Sequence, residues 1–261
     1  MIFEQPKNLI IIFWSTMLIA LISPTASGSD QKEKEIGREI VALYLGAAPL
    51  IDNPETLQYV NTLGQYIVQF TSEVNRDRNW AFGVLETDSI NAFAAPGGYI
   101  LITQGLLDLI ETEDQLAFIL AHEVSHVVKQ HHLKVIQRQA QMKQVIARMQ
   151  GNMSAPNELF NELSDVYKDF ATKGLDKNAE HEADIDGTLL ATRAGFSSYA
   201  GQEVLFILAD FYKDGNETEL FYKTHPHPLT RIDELTTQFS DGLDKFAANS
   251  TASSAFRRLK R

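Results

Sequence analysis

Residues 112–126, Thr112-Glu113-Asp114-Gln115-Leu116-Ala117-Phe118-Ile119-Leu120-Ala121-His122-Glu123-Val124-Ser125-His126, decide how the chain is read. Thr112 followed three residues later by Gln115 has the form of a capping box, in which a hydroxyl and a side-chain amide satisfy the free backbone N–H groups of a helix start. From Leu116 to Ala121 every residue is apolar, so the helix is apolar almost all round at first and belongs in the middle of a domain. It is expected to run from Gln115 to about Leu133, and whatever it carries is held rigidly.

What it carries is His122-Glu123-Val124-Ser125-His126. Residues four apart on a helix differ by about 40° around the axis and ~6 Å along it. Both imidazoles therefore project from one face toward a shared point, where one metal ion can take both. Zinc suits the pair because it accepts neutral imidazole nitrogen at ~2.0–2.1 Å, and a catalytic zinc site uses three protein ligands and leaves a fourth position for water. Glu123 points about 100° away, where it can reach that water but not the metal. Its expected role is general base, taking a proton from the water and passing it to a departing amine. The bland alternative is a five-residue pattern met by chance; the buried, helical setting argues against it.

A third ligand must be carboxylate or histidine, because the chain has no cysteine. The same absence removes disulfides, thiolate nucleophiles and cysteine-held metal sites. Ala179-Glu180-His181-Glu182-Ala183-Asp184 offers both ligand types on an expected helix from Asn178 to Gly195. Glu180 and Asp184 share a face, whereas His181 and Glu182 point elsewhere. That geometry suits Glu180 as ligand and Asp184 as acceptor for the outer N–H of a liganding imidazole, whose tautomer it would fix. The alternative is a solvated acidic helix face.

Outward from these segments the pattern is mixed. Ile36, Ile40, Val41 and Leu45 have helical spacing within Asp30 to Leu50, and Leu57, Val60, Leu63, Tyr66, Ile67 and Phe70 form a buried stripe within a helix expected from Asn53 to Asn75. Trp80 to Thr87 is short and apolar-rich, Gly98 to Thr103 favours a strand, and Asn91 to Gly98 between them has the chemistry of a tight loop. Val135 to Lys173 is rich in Gln, Met and Lys and is expected to be a helical, solvent-facing insertion; Gln202 to Lys213 reads as a further helix. Beyond Leu235 apolar density falls, as in a frayed terminus. The fold class is α+β, predominantly helical, with a small β-sheet beside the metal-bearing helix. Residues 29–237 are read as the domain, 1–28 as a leader and 238–261 as a tail.

Charge and leader narrow the setting. With 23 Lys+Arg against 34 Asp+Glu, the net charge of -11 repels a phosphate backbone, so nucleic acid is excluded as a partner and long-range attraction to anionic membranes is disfavoured. Leu9 to Ile22 is apolar except for Ser15 and Thr16, too short to cross a bilayer comfortably. With Lys7 before it and Ala26, Ser27 and Gly28 after it, the stretch reads as a secretory signal peptide cleaved near Gly28, or else as an uncleaved anchor. Either reading exports the chain.

Several segments together resemble the HtpX/BepA family of zinc metallopeptidases, the gluzincin group that includes CAAX prenyl proteases and mitochondrial stress proteases. They are Asn91-Ala-Phe-Ala-Ala-Pro96-Gly97-Gly98-Tyr99-Ile100 with Gly105-Leu106-Leu107, His122-Glu123-x-x-His126, Glu180-x-x-x-Asp184, and Thr224-His225-Pro226 with Arg231-Ile232; the resemblance extends from about Ile36 to Leu235. It implies a zincin-type domain binding one Zn2+ per chain. It implies that His225 lies near the metal, either stabilising the transition state or closing the site as a further ligand. Arg231 would support the ligands from behind, while His227, His131, His132 and His181 are read as bland or surface-exposed. The family's edge strand implies that Ala94, Ala95, Gly97, Gly98 and Tyr99 hold an extended substrate by strand addition, the alternative being an ordinary core strand. The resemblance is to short, single-domain exported members, since no stretch after Ile22 is a long membrane span. They imply a periplasmic endopeptidase acting on unfolded or misassembled envelope polypeptides in protein quality control, or an enzyme anchored to the inner membrane and facing the periplasm. Peripheral membrane association and oligomeric state stay open. A chaperone-like binding module with a latent zinc site closed by His225 is the reading from a different class.

Overall fold

The computed structural model describes residues 28–149, 175–213, 225, 228–239, 242, 244–245, 256 and 258–259. The leader's apolar stretch, the later part of the 135–173 insertion and His227 lie outside the described residues.

α5 (Glu113–Val128) starts as its sequence demands. Thr112 Oγ1 accepts from Gln115 N at 3.3 Å, and Gln115 Oε1 accepts from Thr112 N at 3.3 Å and from Glu111 N at 2.7 Å. Leu116, Ala117, Leu120 and Ala121 are wholly enclosed in the main core with Val60 and Ile67 of α2 (Pro54–Val68) and Ile100 of the sheet. Each large aliphatic side chain so buried contributes about 1.5–3 kcal/mol. The helix thus forms the middle of the domain and cannot shift without disturbing the core on every side.

Among the described residues the sheet has three strands, β1 (Ala81–Leu85), β2 (Ala92–Ala95) and β3 (Tyr99–Thr103), in the order β1-β3-β2. β1 runs parallel to β3, pairing Ala81 with Tyr99 and Leu85 with Thr103, while β2 runs antiparallel to β3, pairing Ala92 with Ile102 and Ala95 with Tyr99. The tight loop expected over Asn91 to Gly98 is therefore half strand. Only its end turns, at Gly97 (φ 86) and Gly98 (φ 99), where a side chain would be strained. Glu33 of α1 (Gly28–Ala47) anchors that turn, accepting from Gly97 N at 3.0 Å and from Arg78 Nη1 at 2.5 Å.

Two expected helices are shorter than their sequence pattern. The helix expected from Asn53 to Asn75 stops at Val68, and α3 (Glu73–Arg76) follows after a turn. α5 stops at Val128 rather than Leu133, because Gln130 enters the left-handed region (φ 56) and a new helix, α6 (His131–Met149), begins. α4 (Gln104–Leu109) leads from β3 toward α5, capped by Thr103, whose hydroxyl accepts from Leu106 N at 3.2 Å. Among the described residues the further helices are α7 (Lys177–Arg193), α8 (Ala200–Lys213) and α9 (Pro228–Phe239). α7 and α8 both pack on α5, and α9 packs on α7 and α8. In the tail, Phe256 and Leu259 are buried in the main core, so these residues are not frayed. No helix of the described residues is long and apolar enough to cross a membrane.

Candidate metal centre

α5 and α7 meet face to face where Gly187 lies against His122. A Cβ at Gly187 would stand 2.9 Å from His122 Cα, so glycine is what lets the two helices approach this closely. Asp176 fixes the start of α7, its carboxylate accepting from Asn178 N at 3.0 Å and Ala179 N at 2.9 Å. Glu180 in the first turn and Asp184 one turn later then face α5, both with zero exposure.

The structure brings His122, His126, Glu180 and His225 into one buried group whose ligand-type atoms all lie within 4.8 Å of one another. His122 Nε2 and His126 Nε2 are 3.0 Å apart. Glu180 Oε2 is 3.6 Å from His122 Nε2, and its Oε1 is 3.5 Å from His126 Nε2. His225, just before α9, sets Nδ1 2.7 Å from Glu180 Oε2. Glu180 Oε1 is buried with no hydrogen-bond partner. A charged, enclosed carboxylate oxygen 3.5 Å from an imidazole nitrogen, with no hydrogen bond, is costly unless a cation joins the two. The donor set, nitrogen and carboxylate oxygen with no sulfur, fits zinc.

Behind these atoms stand their supports. His122 Nδ1 lies 3.0 Å from Asp184 Oδ1. Arg231 of α9 grips the same carboxylate with both arms, Nε donating to Oδ2 at 2.7 Å and Nη2 to Oδ1 at 2.5 Å, and its Nη1 is 3.6 Å from Glu180 Oε2. His126 Nδ1 faces a residue expected at the surface: His131 Nδ1, at 2.9 Å. His131 and His132 are both buried, a correction to that expectation. The left-handed step at Gln130 ends α5 and starts α6 with His131 against His126, and no glycine or proline advertises that step in the sequence. His181 is half-buried, 3.2 Å from Glu234.

Burial sets the charge pattern. It opposes protonation of His122, yet the hydrogen bonds that His122 donates to Asp184 and Glu180 outweigh it and raise the imidazole to about 9. Burial holds His126 well below its usual range and His132 at about 3. Glu180 is penalised by burial but is drawn well below the carboxylate range by His225, His126 and His122. Glu123, enclosed beside the group, is pushed up by burial, with His122 and His225 pulling the other way. It is a carboxyl poised to exchange a proton.

The proposed substrate residues divide. Ala94 and Ala95 lie on β2, one of the two outer strands of the sheet, and Ala92, Phe93 and Ala94 border a cavity shared with Glu123 and His225. Tyr99 lies on central β3 with a neighbour on each side, Gly97 N is taken by Glu33 and Gly98 O accepts from Ala81 N at 2.9 Å. The Gly97 N–H and the Gly98 carbonyl are thus already in use within the fold.

Residues 54–238 match the model of peptidase family M48. The chain is 26% identical over 254 residues to the beta-barrel assembly-enhancing protease of Escherichia coli (88% of this chain, 51% of that protein) and 30% identical over 220 residues to that of Yersinia pestis (81% and 45%). It is 27% identical over 184 residues to the mitochondrial metalloendopeptidase OMA1 of Schizosaccharomyces pombe (70% and 52%). The chain spans about half the length of these relatives. It belongs to peptidase family M48.

Proposed function

We propose that this member of peptidase family M48 is a zinc-dependent endopeptidase that cleaves unfolded or misassembled envelope polypeptides. The observation that carries the reading is the buried group of His122, His126 and Glu180 with the raised carboxyl of Glu123 beside it. When bound there, zinc would act as a Lewis acid and lower the pKa of a water molecule to about 7. The chain's own residues do the rest. Glu123 takes the proton from the attacking water and hands it to the departing amine, a role suited to a carboxyl titrating above its usual range. Asp184 and Arg231 hold His122 in place from behind. His225 either donates to the oxyanion or serves as a fourth ligand. The outer edge of β2, at Ala94 and Ala95, holds an extended segment by main-chain hydrogen bonds, which favours unfolded chains without strong sequence preference.

The apolar leader stretch of Leu9 to Ile22 and the names of the bacterial relatives support a periplasmic place of work and a part in barrel-protein quality control. A second reading, a binding module with a latent site, is favoured by one contact: His225 Nδ1 sits 2.7 Å from Glu180, inside the ligand group. Casein and an unfolded outer-membrane barrel protein, incubated with wild type and with Glu123→Gln, separate the two. The peptidase reading expects cleavage by wild type, its loss with a zinc chelator, and a drop of about 10²–10⁴-fold in Glu123→Gln. Absent cleavage by both proteins, with the unfolded substrate still bound, would establish the module instead.

A further inference from the structure

His126 and His131 are five residues apart, and on one continuous helix they would point about 140° away from each other. The left-handed residue Gln130 breaks that helix and folds His131 back, so that Nδ1 of one imidazole meets Nδ1 of the other at 2.9 Å. The chain of contacts continues outward. His131 Nε2 is 3.0 Å from Glu182 Oε2, and Lys129 Nζ reaches both Glu182 Oε1 and Asp186 Oδ2 at 2.7 Å. His131 is buried, while the Glu182 side chain is 47% exposed, so the chain runs from the ligand group to solvent.

Proton accounting along this chain has one solution for neutral imidazoles. Glu182 is half-exposed and paired with the Lys129 ammonium, so it is a carboxylate that can only accept. His131 Nε2 must then carry the hydrogen, which leaves Nδ1 of His131 with its lone pair. That lone pair accepts from His126 Nδ1, and the lone pair of His126 is thereby placed on Nε2, the atom facing His122 and Glu180. We propose that His131 is a positioning residue which, oriented by Glu182, fixes the tautomer and ring angle of His126 for metal binding. The inference rests on the metallopeptidase reading but assigns a residue that the paired-histidine motif and the third-ligand helix do not include. Asp184 does the corresponding work for His122 by a different chemistry.

The test is zinc affinity of the full chain at pH 8, measured by competition with a chromogenic chelator, in wild type, His131→Ala, His131→Asn, Glu182→Ala and the double variant His131→Asn with Glu182→Ala. Asparagine sets its Oδ1 close to the position of the histidine Nδ1 and keeps an acceptor for His126. The expected result is a loss of about 10–100-fold in His131→Ala, near-full rescue in His131→Asn, a loss in Glu182→Ala, and no effect of Glu182→Ala when it is added to His131→Asn. Thermal melting of the zinc-free proteins reports separately on folding, and zinc-free His131→Asn and Glu182→Ala are expected to melt as wild type does. Wild-type affinity in His131→Ala, or a Glu182→Ala loss that persists in the double variant, would overturn the proposal while leaving the metal site intact. Failure of the wild type to bind zinc would instead sink the metallopeptidase reading itself.

Discussion

The two imidazoles of α5 stand one turn apart and meet at their Nε2 atoms, yet their outer nitrogens are supported in opposite ways. Behind His122 is a fully enclosed ion pair, Asp184 gripped by both arms of Arg231. Behind His126 is a second imidazole, then a half-exposed carboxylate, then a lysine at the surface. Buried ion pairs are rigid and unforgiving, because the desolvation of each charge is offset only by the other. A chain ending in water is cheap to perturb, since solvent takes over from its last member. One histidine is therefore locked to the core, and the other is tied to the surface through replaceable links.

That contrast is broken most severely at Arg231. Arg231→Ala takes from Asp184 its two-armed partner, leaving the buried carboxylate to His122 alone, and removes one tie between α9 and α7. A loss of about 3–5 kcal/mol is expected in urea unfolding of the zinc-free protein. A loss below ~1 kcal/mol would mean that Asp184 finds water or a proton easily, and that the His122 side is no more enclosed than the His126 side.

Proton uptake sharpens the contrast at intermediate size. His122 is raised to about 9 and His126 is held well below its usual range, so at neutral pH one proton sits on His122 and points across the 3.0 Å gap at the His126 Nε2 lone pair. Metal and proton compete for the same place. Zinc uptake at pH 7 is expected to release about one proton from His122, with apparent affinity rising by about tenfold per pH unit until about pH 9 and flattening above it. The sign for stability is opposite: a raised histidine contributes below its unfolded value near 6.5, and that contribution is lost as pH climbs through about 9. Titration calorimetry in buffers of different ionisation enthalpy counts the protons, and zero release would remove the proton from the gap.

Legibility in the sequence follows the same division. Thr112, Gln115 and the apolar run to Ala121 announce α5, and helical spacing alone pairs Glu180 with Asp184 on one face, because those patterns are local and periodic. His131 escapes a sequence reading because Lys129-Gln130-His131-His132 is polar and lacks Gly or Pro, so nothing local reveals that a left-handed step at Gln130 starts a new helix with both histidines buried. β2 is half hidden for a similar reason. Ala92-Phe93-Ala94-Ala95 is poor in branched residues and runs into Pro96-Gly97-Gly98, and it is a strand only because β3 and the outer face of the core receive it. Phe256 and Leu259 make long-range contacts from a stretch whose low apolar density points to solvent.

The smallest effect lies at the far end of the His126 chain. Lys129 is about one-third exposed and bridges two carboxylates, Glu182 and Asp186, just before the left-handed step between α5 and α6. Its charge is stabilised by both, but water competes for every one of these contacts and salt screens them. Lys129→Met keeps the aliphatic stem and removes the ammonium, so the expected cost is about 0.2–1 kcal/mol in urea unfolding, shrinking further in about 1 M salt. Glu182 retains its bond from His131 in that variant, and zinc affinity is expected to stay within a few-fold of wild type. If Lys129→Met instead cost as much as Arg231→Ala, the surface end of this chain would be as enclosed as the core end of the other, and the asymmetry between the two histidines would vanish.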